Sequence, residues 1–240
     1  MNIDLIWETL PKLLSAVPAT LALAFASIFL GFLLAVPIAL VRLSENRFAF
    51  LASGYVYVMR STPLLVQLFL IYYGSGQFRG FFEQIGLWGL FRDAWFCAIL
   101  ALVLNTAAYT SEIVRGGIQA VPHGQIEAAR SVGMSGFRLF RRIIFPIAMR
   151  QALPAYGNEV MLMIKATSLA STITIVEVTS VAKQVISKTY SPVEVFLIAG
   201  AIYLAINFLI SRALVLAEWR LNPHLGSDSS RRFASAPLTH

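Results

Sequence analysis

A stretch of 29 residues without one charge, Leu13 to Val41, constrains this chain more than any other feature. A bilayer core of about 30 Å is crossed by about 20 helical residues. A helix of that length with no polar face has no stable place in water. The stretch is therefore read as a membrane span, with Pro18 and Pro37 near its ends, where interrupting a helix costs least. A signal peptide has an apolar region of about 7–15 residues behind a basic start. Here the apolar region is longer, and Asp4 and Glu8 precede Lys12, so an uncleaved span is expected.

The rest of the chain has the same character. Only 13% of its residues are charged and 58% are hydrophobic, whereas an ordinary soluble domain is about a quarter charged. That argues against a single soluble domain, a disordered protein and a fibrous repeat. The expected fold is an all-α integral membrane protein with about five transmembrane helices, at about 13–41, 55–76, 94–112, 151–176 and 195–215. Arg60 interrupts the second apolar stretch, and its core is placed at Pro63–Tyr73, leaving Arg60 to snorkel toward a membrane face. Between the second and third spans, Phe81, Phe82, Trp88 and Phe91 suggest an amphipathic stretch at the interface. Residues 177–194 read as a polar link. Residues 1–16 read as a segment outside the membrane, and 218–240 as a polar tail with a disordered end.

The lone Cys97 allows no intrachain disulfide, and His123, His224 and His240 are scattered, so no metal site is expected. No nucleophile–base pattern points to an enzyme. The net charge of +7 raises nucleic acid as a partner, but its distribution argues otherwise. With the long basic loop 112–150 placed inside, the cytoplasmic side holds thirteen Lys and Arg, the outside five, and Lys165 lies in the membrane. That bias predicts the N-terminus outside and the C-terminus in the cytoplasm.

The loop's centre, Glu127 to Pro146, reads as helix, break, helix. Ala128 and Ala129 favour the first helix. Gly133 stands where a left-handed residue would end it, and Ser135 is placed to cap a second helix. Phe137, Phe140 and Ile144 form an apolar stripe beside Arg138, Arg141 and Arg142, and Pro146 is expected to stop or kink the chain beyond it. Three roles compete: an amphipathic element lying on membrane lipid, a DNA-binding helix-turn-helix, and a docking element for a soluble partner. Apolar spans begin about a dozen residues to either side, which presses the motif against an anionic membrane and disfavours DNA.

The pattern of Glu127, Ala128, Ala129, Gly133, Ile143 and Pro146 resembles the EAA loop of ATP-binding-cassette (ABC) importer permeases, with Phe145 where the family usually has Leu. Arg60-Ser61-Thr62-Pro63-Leu64-Leu65-Val66-Gln67 is similar to that family's second-span segment, with Ser61 in place of the usual Gly. Tyr156-Gly157-Asn158-Glu159 and Lys165-Ala166-Thr167-Ser168-Leu169-Ala170-Ser171 resemble a stretch of its polar amino-acid subgroup. The likeness runs over about residues 17–217, and Asn158-Glu159-Val160-Met161-Leu162 with Glu218-Trp219-Arg220 looks closest to the basic amino-acid and opine members.

The resemblance implies a type I ABC importer transmembrane domain in the bacterial inner membrane. It further implies a second permease subunit (a paralogue or a copy), a cytoplasmic ATPase dimer and a periplasmic amino-acid-binding protein. On this reading Glu127, Ala128, Ala129, Gly133 and Pro146 form the ATPase-coupling loop. No phosphate-binding glycine loop is present, so ATP and Mg are expected on the ATPase and no cofactor on this chain. Ionisable groups inside a membrane are functional by default. At 1.5 Å per residue from Arg150, Glu159 lies roughly 13 Å and Lys165 roughly 22 Å into the membrane. The expected substrate pathway comprises Thr62, Gln67, Asn158, Glu159, Lys165, Thr167, Ser168 and Ser171. The plainer alternative is that Glu159 and Lys165 satisfy each other or neighbouring spans, and that Gln67, Asn105 and Asn207 are interhelical hydrogen-bonding groups. Two rival functions stay open: an autonomous secondary transporter or channel coupled through Glu159 and Lys165, and a membrane-tethered scaffold.

Overall fold

The computed structural model describes residues 3–44 and 47–221, and all regular structure among them is helical. Helix α1 spans Ile3–Ser15, α2 Val17–Leu43, α3 Arg47–Ser61 and α4 Leu64–Gln77. Two short helices come next, α5 at Arg79–Gln84 and α6 at Trp88–Phe91. Then come α7 at Ala94–Gln119, α8 at His123–Ser131, α9 at Gly136–Leu139 and α10 at Phe145–Ala166, with α11 at Val178–Thr189 and α12 at Pro192–Leu221. Helices α2 (continuous in direction with α1), α7 and α12 are each long and apolar enough to cross a membrane. Two bent pairs bring the number of crossings to as many as five.

Helix α7 is the axis of the bundle, and α2, α3, α4 and α10 all pack on it. Its buried positions are mostly small, including Cys97, Ala98, Ala101, Ala107, Ala108 and Gly117. Helix α2 answers with Thr20, Ala24, Ser27, Gly31, Ala35 and Ala39 at helical spacing. Lipid is as apolar as leucine, so helices in a membrane associate by close backbone approach, and small residues permit it. The approach is tightest at two glycines. A Cβ on Gly117 would stand 2.6 Å from the Ala148 carbonyl oxygen of α10, and one on Gly31 would stand 2.3 Å from Thr106 Cγ2. The large apolar side chains instead point outward: Phe25, Phe29 and Leu33 on α2, and Leu204, Phe208 and Leu209 on α12.

Several element boundaries differ from the sequence expectation. Residues 3–15, for which no helix was expected, form one that packs against α11 and α12, with Leu13 fully buried. The second span is two helices, α3 and α4, that meet at 104°. The reason is Pro63, which disfavours helical geometry at Thr62 and takes an extended conformation itself (φ −63°, ψ 134°). Helix α7 continues seven residues past the expected end at residue 112 and takes Arg115 into its last turns. Residues 177–194, expected as a link, contain α11, whose buried Val178, Ala182 and Val185 join the main core. The fifth span is longer at both ends. The expectation of a disordered tail falls on residues 222–240, which lie outside the described residues.

Pro146 does not stop the chain. Helical structure runs on from Gly136 to Ile173, with a π-helical turn at Phe140–Ile144 just before Pro146. Proline has no N–H to give, so the wider turn accommodates the lost bond without ending the helix. At the other end α10 tightens into a 3-10 turn at Thr167–Ile173 and breaks at Thr174, a left-handed residue with φ 71°. A 50° bend separates it from α11. Glu177 caps α11 by accepting a hydrogen bond from the Ser180 amide at 2.8 Å.

Candidate functional site

The polar loop forms a compact elbow. Pro122 starts α8 from an extended conformation. At its end the Gly133 amide donates to Arg130 O at 2.9 Å and the Met134 amide to Ala129 O at 3.0 Å. These two bonds, with Gly133 at φ +81°, make a Schellman cap, as the sequence suggests. Open space surrounds the position a Gly133 Cβ would take, so its requirement is conformational and not steric. Ser135 has the extended backbone of an N-cap, but its hydroxyl makes no capping bond, which departs from the expectation. The turn depends instead on two glycines, since Gly136 also has positive φ at +52°.

The three EAA-type residues face different ways. Ala129 is buried, while Glu127 and Ala128 are exposed, as are Arg130, Ser131 and Val132. The apolar stripe expected from Phe137 is not an inward face: Phe137 is 75% exposed and Leu139 is the buried residue of α9. Phe140 packs instead against Phe145, ring to ring at 5.7 Å. Glu127, Ala128 and Val132 are thus exposed on an elbow held by its own backbone.

Inside the bundle, polar groups pair between helices. Glu159 of α10, 7% exposed, accepts a hydrogen bond from Thr106 Oγ1 of α7 at 2.9 Å. Lys165 is exposed and does not meet it. Gln67 of α4 does more. Its amide donates to Met59 O at 2.8 Å, Thr62 O at 3.2 Å and Thr62 Oγ1 at 2.7 Å. These carbonyls lie at the end of α3 and would be orphaned by the break at Pro63. Gln67 Oε1 then accepts from Asn105 Nδ2 at 3.0 Å, which ties the elbow to α7. Asn207 differs from the interhelical expectation, because its amide donates within α12 to Tyr203 O at 2.8 Å.

The remaining pathway candidates are scattered. Thr62 and Asn158 are exposed, Ser168 and Ser171 are half-buried, and Thr167 is buried. Thr167, Ser168 and Ser171 bond carbonyls three residues back, as 3-10 geometry allows. Ser171 Oγ also accepts from Lys183 Nζ of α11 at 2.9 Å. Three groups escaped the sequence reading. Thr106 lies in an apolar run and gave no signal. Glu177, fully buried, accepts from Tyr203 of α12 at 2.7 Å. Glu112 gathers Arg42, Arg60 and Arg115 around one carboxylate. Its charge was visible in the sequence, but partners 70 residues away were not.

Apolar crossings, buried polar pairs between them, and a rigid elbow offered beyond the bundle define a membrane transport subunit. Comparison with known proteins gives the family. Residues 27–222 match the model of binding-protein-dependent transport system inner membrane components, and the chain belongs to that family. It is 68% identical, over the full length of both chains, to the nopaline transport system permease protein of Agrobacterium fabrum. It is 54% identical to the octopine transport system permease protein of Rhizobium meliloti, over 91% of this chain and 89% of that one. To the histidine/lysine/arginine/ornithine transport system permease protein of Salmonella typhimurium it is 43% identical, over 89% and 91%. The structure of an amino acid ABC transporter with histidines superposes with a TM-score of 0.80 at 38% identity, covering 92% of this chain and all of that one. A methionine ABC transporter, at 19% identity and a TM-score of 0.70, shares the fold. The chain is thus a multi-pass permease subunit of an ABC importer.

Proposed function

We propose that this permease forms one half of a translocation path for basic amino acids or opines delivered by a periplasmic binding protein. The carrying observation is the 68% identity to a nopaline permease along the whole chain. In the proposed orientation the N-terminus is periplasmic and the C-terminus cytoplasmic, which puts α8 and its Gly133 turn in the cytoplasm. There a partner ATPase dimer binds ATP and Mg and grips Glu127 and Ala128, while Ala129 and Gly133 keep α8 in register with α10. This chain itself catalyses nothing. A second permease subunit, a paralogue by analogy, completes the path.

Within the path Glu159 meets the cationic end of the substrate. It is the carboxylate of α10, it lies in the apolar interior, and its neighbour Thr106 leaves its second oxygen without a described hydrogen bond. Thr62, Gln67, Asn158, Lys165, Thr167, Ser168 and Ser171 are the further candidates for lining, with Gln67 acting through the α3–α4 elbow. The test is reconstitution with the ATPase, the second permease and the binding protein in vesicles. ATP-dependent uptake of arginine-type substrates is expected. Uptake by this chain alone, indifferent to ATP, would instead establish the autonomous transporter.

A further inference from the structure

Three guanidinium groups converge on a single carboxylate where α2, α3 and α7 meet. Arg42 Nη1 donates to Glu112 Oε1 at 2.5 Å. Arg115 donates to Oε2 twice, from Nε at 3.0 Å and Nη2 at 2.8 Å. Both oxygens are thereby taken. Arg42 and Arg115 spend further N–H groups on Ser53 Oγ at 3.2 Å and Gln119 Oε1 at 3.0 Å. Arg60 stands apart. Its Nη1 comes no closer than 3.6 Å to Glu112, and among the described residues its guanidinium donates no hydrogen bond. It lies over the Tyr109 ring at 5.2 Å and is 44% exposed. The space it faces is a cavity of about 520 Å³ lined also by Arg42, Ser53, Tyr57, Tyr109 and Glu112.

The position of that cavity matters. Arg60 is the last charged residue before the break at Pro63, and it meets α7 through Tyr109, whose hydroxyl donates to Arg60 O at 3.4 Å. Tyr109 beneath it lies three residues after Thr106, and Thr106 holds Glu159. The residues that Arg60 and Glu159 contact on α7, Tyr109 and Thr106, are therefore three positions apart, about 4.5 Å of rise. A guanidinium with free N–H groups, stacked on an aromatic ring, presents a planar fork that suits a carboxylate.

We propose that Arg60 is a specificity-determining residue of the translocation path that binds substrate carboxylates, while Glu159 takes the cationic end. This rests on the reading that the path carries guanidino compounds past Glu159. It deepens that reading by naming the preferred class: guanidino compounds that carry carboxylates beyond the single one of an amino acid. The surplus of two positive charges in the cluster (three arginines against Glu112) favours such ligands over arginine itself.

The experiment uses the whole importer in vesicles with arginine, octopine and nopaline, which carry one, two and three carboxylates on the same frame. Arg60→Gln is expected to lower uptake by a factor that grows along this series. Nopaline should lose about tenfold more than arginine, the effect of one charge-assisted contact. Arg60→Lys, which keeps the charge and loses the fork, should fall between. Where the wild type carries only one of the three, the same comparison is read from inhibition of its uptake by the other two. Equal losses for all three substrates, or no loss, would overturn the proposal. A wild-type importer that neither carries nor is inhibited by any of them overturns the substrate class itself, before any variant is made. If Arg60→Gln yields no assembled complex, Tyr109→Leu removes the platform beneath Arg60 and is judged by the same ordering.

Discussion

Two glycines show how differently the helix bundle and the exposed elbow of this permease are built. Gly117 sits in the membrane bundle, where α7 and α10 approach so closely that a Cβ would meet a backbone carbonyl at 2.6 Å. Gly133 sits in the exposed elbow, where a Cβ would meet nothing, and only its φ of +81° requires glycine. The bundle is held by contacts between residues far apart in sequence. The elbow is held by its own backbone. The lesson is that a turn outside the bundle needs no core of its own, because a Schellman cap fixes the angle between α8 and α9 locally.

Mutations can break this contrast or sharpen it. The largest effect is expected for Gly117→Val, which forces α7 from α10 and should cost about 1–3 kcal/mol or more of overpacking. Recovery of assembled complex by gel filtration should fall sharply, and uptake with it. Gly133→Val should behave oppositely. It places a β-branched residue in the left-handed region at roughly 1–2 kcal/mol, confined to the elbow. Complex should still be recovered in part, while ATP-driven uptake drops about tenfold or more, and unchanged uptake would remove the coupling role. If both variants lost assembly alike, the elbow would be part of the folding core after all.

Within the bundle, Glu159→Gln keeps an oxygen for Thr106 and removes only the charge. Uptake of guanidino substrates should fall about tenfold with the thermal transition little changed, because a charge-assisted contact to substrate is lost while the α7–α10 bond stays. A matching loss of stability would mark Glu159 as structural. Thr106→Val leaves the buried carboxylate without its partner and should cost about 1–3 kcal/mol, read as a lower melting temperature. The smallest effect is expected in the elbow. Ser135→Ala should shift stability by no more than about 0.5 kcal/mol, since the hydroxyl makes no capping bond. A larger shift would show that the cap forms when the ATPase docks.

The elbow was legible in the sequence because its determinants are local. Ala128, Ala129 and Gly133 announce a helix and its left-handed stop within a few residues, and the structure has that backbone. The apolar stretches were equally plain, since a charge-free run of 29 residues carries its own physical meaning. Misreadings came where a local rule met tertiary support. Pro146 signals a stop or a kink, and a π-helical turn carries the chain through it without a stop. Ser135 signals a cap, yet Gly136 makes the turn without it. Residues 3–15 and 178–189 read as a flanking segment and a polar link, yet both form helices whose buried residues share a core with Val195, Ile198 and Ile202 of α12.

What the sequence by itself determined is the solvent in which this chain folds, the approximate number of crossings, and the shape of the turn that ends α8. Each depends on side chains and φ angles within a few residues of one another. Only the tertiary structure decided which polar groups meet: Gln67 with Asn105, Glu159 with Thr106, Glu177 with Tyr203, and Glu112 with its three arginines. The physical reason is that an apolar interior leaves a buried polar group no water to turn to. Its partner must come from whichever helix packs beside it, and close packing of small residues along α7 sets that neighbour.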